Sequence, residues 1–277
     1  MLDSGAAAPP PGSVIRKLQR RRGDSVDAVE DRVAEEVPVA MRYNGRAFAV
    51  MMATPCDLED FALGFSLSEG LIADAGELLR VDIHPRVEGI ELAMTVTATA
   101  AAARLDEGWS RHLPGRGGCG LCGTRELEDV VRSPAPLAAT ATFDVAALRV
   151  ALESLARHQP LNAATGAVHA AAWADAEGRI RRAREDVGRH NALDKLIGAM
   201  TREGDDPVAG MLLISSRASY EMVVKAARAG IGFVAAVSAP TALAIELARG
   251  AGVCLVGFAR VGGCNVYTFP ERLRAQP

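Results

Sequence analysis

The first half of the chain alternates apolar and polar residues over short segments, which is the pattern of strands with one buried face. Asn44-Gly45 separates two such segments and predicts a tight hairpin turn between them. Thr54 and Pro55 offer an N-cap and a first helical residue, so we expect a helix from there to about Ile72. The predicted strands of this α+β unit are 37–43, 46–52, 79–84 and 90–97.

The second half has a different rhythm. After Asp144, apolar residues recur at the spacing of an amphipathic helix. Short apolar strands and helices then alternate, which is typical of a layered α/β sheet with crossover connections. The strands are predicted at 167–174, 179–185, 211–215, 233–238, 253–258 and 265–269, and the helices at 191–202, 219–229 and 241–249.

These patterns together predict the fold class and the domains. We expect an α/β protein whose C-terminal part is a mixed sheet with helices on both faces, preceded by a smaller N-terminal α+β domain. The first residues combine a low-complexity stretch with a basic run, which is typical of a disordered extension. The predicted organisation is a disordered tail (1–24), the α+β domain (25–112), a mobile cysteine loop (113–135) and the α/β domain (136–277).

Composition excludes several classes of protein. The net charge of the 277 residues is -3, which does not favour nucleic-acid binding. The longest apolar region, 231–258, is interrupted by charges and by Pro240, so no membrane span is expected. The chain has no apolar export signal and only five cysteines, so we expect a reducing, cytoplasmic location. Lysine is rare: Lys195 and Lys225 are the only two beyond residue 17, and we note them as candidates for a special role.

Two cysteines, Cys119 and Cys122, lie in the glycine-rich segment GRGGCGLCG. Thiolates are nucleophiles, metal ligands and redox centres, and the glycines favour a mobile loop. A mobile dithiol is suited to carrying a group between sites. Alternatives are a zinc site shared between two chains, a structural disulfide and a thioredoxin-type redox pair. No metal site within one chain is expected, because no second CxxC or HxxxH follows.

Two turns at strand ends are candidate anion sites. Ser216-Arg217 and Ser238 to Thr241 each follow a predicted strand and open a helix, where free N–H groups favour phosphate. The alternative is that these hydroxyls only cap their helices. A third turn is rich in glycine and arginine and could let a phosphate or a guanine approach the backbone; its residues are Phe258, Ala259, Arg260, Val261, Gly262 and Gly263.

A polar cluster lies at residues 185–195, where a strand meets a helix. His190 and Asp194 are four residues apart, so they share a helix face and the carboxylate could orient the imidazole. The alternative is a helix cap with an ion pair on a solvated face. His169, within an apolar strand, is more simply explained as a core histidine.

Five motifs in this order resemble the formate dehydrogenase accessory sulfurtransferase family (FdhD). They are GRGGCGLCG, EDVGRHNALDK, SSRASYEMVVKAARAGI, SAPTALAIELA and GFARVGGCNVYTFPERL. The resemblance implies a homodimeric sulfur carrier that accepts persulfide sulfur from a cysteine desulfurase. It would transfer the sulfur to molybdenum bis(molybdopterin guanine dinucleotide), with GDP as a mimic of that substrate, and the sulfurated cofactor would then enter formate dehydrogenase apoenzyme. It also implies a fold similar to cytidine deaminases, although the zinc signature of deaminases is absent.

Carried over to this sequence, the resemblance implies that Cys119 bears the persulfide and that Cys122 relays or resolves it. It places the guanine-dinucleotide contact on 258–263. Cys264 departs from the apolar residue expected there; an additional sulfur acceptor is the alternative, and we interpret it as an inert core thiol. Two other functions remain open: a cofactor-binding chaperone whose CxxC is structural or binds metal, and a dithiol oxidoreductase.

Overall fold

The computed structural model describes residues 10–104, 134–138 and 140–275. Cys119 and Cys122 lie outside the described residues. The chain begins with a two-stranded ribbon of β1 (Ser13–Arg22) and β2 (Ser25–Ala34). The prediction of a disordered tail was therefore wrong from residue 13 onward. The register of the ribbon places Leu18 opposite Val29 and Lys17 opposite Glu30, and these cross-strand pairs stabilise it. The sequence of β1 alone does not reveal this complementarity.

The predicted α+β unit is present as a four-stranded sheet with helix α1 (Leu58–Ser68) packed against it. Its strand order is β4-β3-β6-β5. The hairpin turn at Asn44 and Gly45 is confirmed, since both have positive φ, 48° and 80°. The strands are β3 (Val37–Tyr43), β4 (Arg46–Ala53), β5 (Leu78–Arg86) and β6 (Gly89–Val96), and helix α2 (Ala98–Arg104) follows.

Helix α1 starts later than expected. Its N-cap is Asp57 rather than Thr54. Thr54 is fully buried and its polar groups are used elsewhere: its N–H donates to Asp186 Oδ2 and its hydroxyl accepts from the N–H of Val187. These long-range bonds prevail over the local capping signal.

The second half is built on a six-stranded sheet of order β13-β12-β11-β10-β8-β9. Strands β10, β11 and β12 are parallel, whereas β8, β9 and β13 pair antiparallel with their neighbours. The strands are β8 (His169–Asp175), β9 (Ile180–Asp186), β10 (Gly210–Ile214), β11 (Phe233–Ala236), β12 (Cys254–Arg260) and β13 (Gly263–Val266). A short parallel pair, β7 (Phe143–Asp144) with β14 (Leu273–Arg274), completes the described strands.

Helices cover both faces of this sheet, as the sequence predicted. One face packs against α5 (Arg189–Glu203), α6 (Tyr220–Arg228) and α7 (Ala242–Ala251), and the other against α3 (Val145–Leu155). The short helix α4 (Pro160–Thr165) packs against the ribbon. The mixed α/β class is confirmed; similarity to cytidine deaminases stays a prediction.

The two halves meet where α1 crosses α5. The backbones approach closely because both helices carry a glycine at the crossing. A Cβ on Gly64 would lie 1.7 Å from the carbonyl oxygen of Asp194, and one on Gly198 would lie 2.0 Å from that of Asp60. This contact fixes the N-terminal sheet relative to the C-terminal sheet.

Candidate functional site

The predicted anion-binding turns lie side by side at one edge of the six-stranded sheet. Strands β10, β11 and β12 are parallel, so their carboxyl ends share that edge, where ligands of α/β sheets usually bind. Direct bonds join the turns: Ala218 N–H donates to Ala239 O at 3.2 Å, and Thr241 N–H to Ala218 O at 3.1 Å. The N–H of Phe258 donates to Ser238 O at 3.0 Å, which connects the third turn to the second.

The hydroxyl groups in these turns have different partners. Thr241 Oγ1 accepts from the N–H of Ala244 and so caps α7, which is what the alternative interpretation expected. Ser216 is buried and its hydroxyl donates to the carbonyl of Arg217. Arg217 itself is exposed, so its guanidinium can reach a ligand at this edge.

The turn at 258–263 presents an exposed aromatic ring. Phe258 has φ 51° and is 46% exposed. A left-handed conformation costs a bulky residue about 1–2 kcal/mol, and such strain is concentrated at functional sites. Val261 is also exposed, whereas Ala259 is buried and packs into the core. The backbone irregularity between Gly257 and Arg260 turns the ring outward.

Most of the polar cluster at 185–195 joins the two halves of the protein. Asp186 is fully buried, and its carboxylate accepts from Thr54 N–H, Gly188 N–H and Asn191 Nδ2. Lys195, also fully buried, lies 2.6 Å from the same carboxylate and donates to Thr54 O. A charge pair so completely hydrogen-bonded indicates a structural role for these residues.

The second buried lysine, Lys225, completes a polar network between α1, α5 and α6. Its Nζ lies 2.6 Å from Glu69 Oε1, 2.9 Å from Asp194 Oδ1 and 2.9 Å from Ser68 Oγ. Burial alone would lower the pKa of Lys225, but Asp194 and Glu69 outweigh it and raise that pKa. Burial raises the pKa of Asp194, whereas the charge of Lys225 and the hydrogen bonds from Ser68 and Lys225 oppose this shift. We assign Lys225 and Asp194 as a charged pair.

His190 does not have the partner that the sequence predicted. Asp194 is bonded to Ser68 and Lys225, and the carboxylate beside the imidazole is that of Glu221 on α6. His190 Nε2 lies 2.8 Å from Glu221 Oε2, a close contact between imidazole and carboxylate that does not have the geometry of a hydrogen bond.

Three residues of this edge were not predicted as site residues: Arg189, Ser219 and Glu221. Arg189 Nη2 lies 3.9 Å from the same Glu221 oxygen, and Ser219 is the N-cap of α6. Arg189 belongs to the polar cluster at 185–195, but its meeting with Glu221 joins helices from distant parts of the sequence, which local pattern does not reveal. His169 lies nearby, where burial, and then the charges of Arg189 and His190, lower its pKa.

The three described cysteines are poor nucleophiles. Burial is the largest effect in each: it raises the pKa of Cys56 to about 11 and that of Cys254 to about 12, and it also raises the pKa of Cys264. Cys264 packs against the core of the α3 face. Within residues 10–104 and 140–275 no group of three or more His, Cys, Asp or Glu residues is arranged to hold a metal ion. In the same part of the chain no helix has the length and apolarity to cross a membrane.

Comparison with known proteins gives a consistent result. The family model of the FdhD/NarQ family matches residues 34–274. The chain is 55% identical over 263 residues to the sulfur carrier protein FdhD of Xanthomonas euvesicatoria pv. vesicatoria, covering 95% of this chain and 93% of the relative. It is 51% identical over 271 residues to that of Cupriavidus necator, covering 98% of this chain and 93% of the relative.

A solved structure is similar over the same length. It is a crystal structure described as a formate dehydrogenase accessory protein from Desulfotalea psychrophila, with a TM-score of 0.73 and 26% sequence identity. The similarity covers 95% of this chain and 100% of that one. The chain belongs to the FdhD/NarQ family.

Proposed function

We propose that this protein is a cytoplasmic sulfur carrier of the formate dehydrogenase system. It takes persulfide sulfur from a cysteine desulfurase on Cys119 and transfers it to molybdenum bis(molybdopterin guanine dinucleotide), which it binds as substrate at the carboxyl edge of the six-stranded sheet. The cofactor then enters formate dehydrogenase apoenzyme. The homodimer implied by the resemblance is part of this proposal.

The main support for the proposal is that three turns suited to a nucleotide meet at that edge. The chain is also 55% identical to a sulfur carrier protein. The exposed ring of Phe258 offers a flat surface on which a guanine can stack. Arg217, two strands away, offers a guanidinium for the phosphates. Parallel neighbours lie about 4.8 Å apart, so the ends of β10 and β12 are about 10 Å apart, a span that a nucleotide can bridge.

The sulfur chemistry rests on Cys119 and Cys122. The thiolate of Cys119 attacks the terminal sulfur of the desulfurase persulfide; a new S–S bond forms and the desulfurase cysteine leaves as a thiolate. Cys122 can then attack the inner sulfur of Cys119. This step forms a Cys119–Cys122 disulfide and releases the carried sulfur as sulfide to the metal, so atoms and electrons balance. The described thiols are unsuited to the role, because burial keeps Cys56 and Cys254 protonated at neutral pH.

The nucleotide site is tested by calorimetry with GDP on the full chain. Replacing Arg260 by alanine removes an exposed guanidinium from the turn at 258–263. Loss of a charge-assisted hydrogen bond should weaken GDP binding by about ten- to a hundredfold. The matched control is Arg249→Ala, an exposed arginine on α7, which should leave GDP affinity unchanged. If the two variants bind GDP with equal affinity, Arg260 is not part of the nucleotide site.

The carrier role is tested in cells that lack their own copy of this protein. Cys119→Ala should abolish formate dehydrogenase activity, whereas Cys56→Ala should restore it like the wild type, because Cys56 is outside the transfer. Normal formate dehydrogenase activity with Cys119→Ala would refute the carrier role. It would favour the alternative of a cofactor-binding chaperone.

A further inference from the structure

Unsatisfied polar atoms are concentrated at one place in the protein. Across the described residues, only three buried side-chain nitrogen or oxygen atoms lack a hydrogen-bond partner: Arg189 Nε, His190 Nε2 and Ser219 Oγ. A buried polar group without a partner loses its bonds to water and gains none in return, so native proteins keep few of them and each calls for an explanation. All three belong to the starts of α5 and α6, at the carboxyl edge of the sheet.

Two of these residues, Arg189 and His190, meet at Glu221 on the first turn of α6, the helix that Ser219 precedes. Glu221 Oε2 lies 2.8 Å from His190 Nε2 and 3.9 Å from Arg189 Nη2. His190 is only 6% exposed, so its N–H cannot turn to bulk water. A negatively charged oxygen therefore already lies beside the imidazole and the guanidinium, while Arg189 Nε, a different nitrogen of that guanidinium, has no hydrogen-bond partner.

The start of α6 adds further donors. Ser219 has the extended backbone of an N-cap, φ -82° and ψ 168°, yet its side chain makes no capping hydrogen bond. This differs from Thr241, whose hydroxyl caps α7 at the neighbouring strand end. The Ser219 hydroxyl is thus available to a ligand at the positive end of a nine-residue helix.

We propose that Arg189, His190 and Ser219 form an oxyanion subsite that binds a phosphate group. The ligand oxygens take the place of the Glu221 carboxylate, which fills the region in the free protein and swings away when phosphate binds. The subsite is separate from the turn at 258–263, which is on the far side of β10 and β11 from α5. Where the phosphate is that of a guanine nucleotide, the inference rests on the proposed function.

The subsite is tested by calorimetric titration of the full chain with inorganic diphosphate. His190→Phe keeps a ring of similar size without nitrogen donors, and Ser219→Ala removes only the hydroxyl. Each should weaken diphosphate binding by about tenfold or more, as expected for a lost bond to a charged group. Glu221→Gln removes the competing charge at constant shape and should tighten binding by a similar factor. The matched control, Glu246→Gln, removes one exposed charge on α7 and should change nothing.

The direction of the change in diphosphate affinity caused by Glu221→Gln is decisive, because it should be opposite to that of the other two variants. If Glu221 instead held Arg189 and His190 in place, its replacement would weaken binding, and that result would overturn the proposal. No saturable binding of diphosphate by the wild type would overturn it too, as would equal affinities in all variants. Thermal unfolding of each variant keeps a folding defect from being read as lost binding, and Ser219→Ala remains informative if His190→Phe unfolds.

Two further titrations identify the source of the phosphate and separate this inference from the proposed function. Displacement of diphosphate by GDP but not by guanosine assigns the subsite to the nucleotide. Simultaneous binding of GDP and diphosphate would show that the subsite takes free phosphate instead. Either result would support the existence of the subsite. Diphosphate binding without any GDP binding would leave the subsite standing while refuting the guanine-nucleotide part of the proposed function.

Discussion

Replacing Lys225 by methionine removes a buried ammonium group but keeps an unbranched side chain of similar length. Lys225 is 7% exposed and is bonded to Asp194, Glu69 and Ser68. In the variant, Asp194 stays buried, with only the Ser68 hydroxyl from this network to stabilise its charge. Glu69 is 28% exposed and can turn to water. The cost therefore falls mainly on Asp194.

Removing one partner of a buried charge pair costs about 3–5 kcal/mol. For a protein of this size each kcal/mol lowers the melting temperature by about 2–4 °C, so Lys225→Met should lower it by about 6–20 °C. Urea unfolding followed by circular dichroism should give the same loss in the free energy of unfolding. Lys17→Met, at an exposed position on β1, is the matched control and should change stability by less than about 1 kcal/mol.

A double variant tests the reason for the loss. Lys225→Met with Asp194→Leu removes both charges, and Ser68 keeps its bond to Phe65 O. Replacement of a whole buried pair by apolar residues is often neutral, so this variant should regain most of the stability lost by Lys225→Met. A Lys225→Met variant as stable as the Lys17→Met control would refute the reasoning, and so would a double variant less stable than Lys225→Met.

Three other outcomes follow from the described residues. Gly64→Ala places a Cβ 1.7 Å from Asp194 O and should lower the free energy of unfolding by about 3 kcal/mol or more. The control is Gly250→Ala in α7, where a Cβ meets open space, and it should raise that free energy by up to about 1 kcal/mol. Phe258→Ala should weaken GDP binding about five- to a hundredfold by calorimetry, and Phe258→Gly should be about 1 kcal/mol more stable than Phe258→Ala because glycine accepts φ 51°. Burial raises the pKa of Cys56 to about 11, so its rate of alkylation should rise about tenfold per pH unit from pH 7 to 10. Peptide mass spectrometry measures this rate, and a rate that does not change with pH would contradict the raised pKa.

Periodicity was a good guide to the fold where the pattern is local. The Asn44-Gly45 hairpin and the alternation of strands and helices after Asp144 were confirmed. Residues 13–22 were mistaken for a tail because a basic strand is stabilised by an acidic partner that only pairing brings opposite it. The start of α1 was misplaced because long-range bonds from Thr54 prevail over its capping preference.

The candidate site shows the same division. The turns at Ser216, Ser238 and Phe258 were each predicted as candidate ligand sites after a strand, but their meeting depends on β10, β11 and β12 being parallel neighbours, which strand pairing alone decides. Which carboxylate faces His190 could not be predicted, because Glu221 reaches it from another helix. Lys195 and Lys225 attracted notice by rarity alone, and the structure shows both buried, with bonds from Lys195 to Thr54 and from Lys225 to Ser68 and Glu69 that join the two halves.

The carrier hypothesis is tested most directly by intact-protein and peptide mass spectrometry after incubation with a cysteine desulfurase and cysteine. Cys119 should gain the mass of one sulfur atom, and a reductant should remove it. Cys119→Ala should show no such gain, while Cys56→Ala should behave as the wild type. Absence of the added sulfur on Cys119, together with stoichiometric zinc in the purified protein, would contradict the account and favour a chaperone with a metal-binding CxxC.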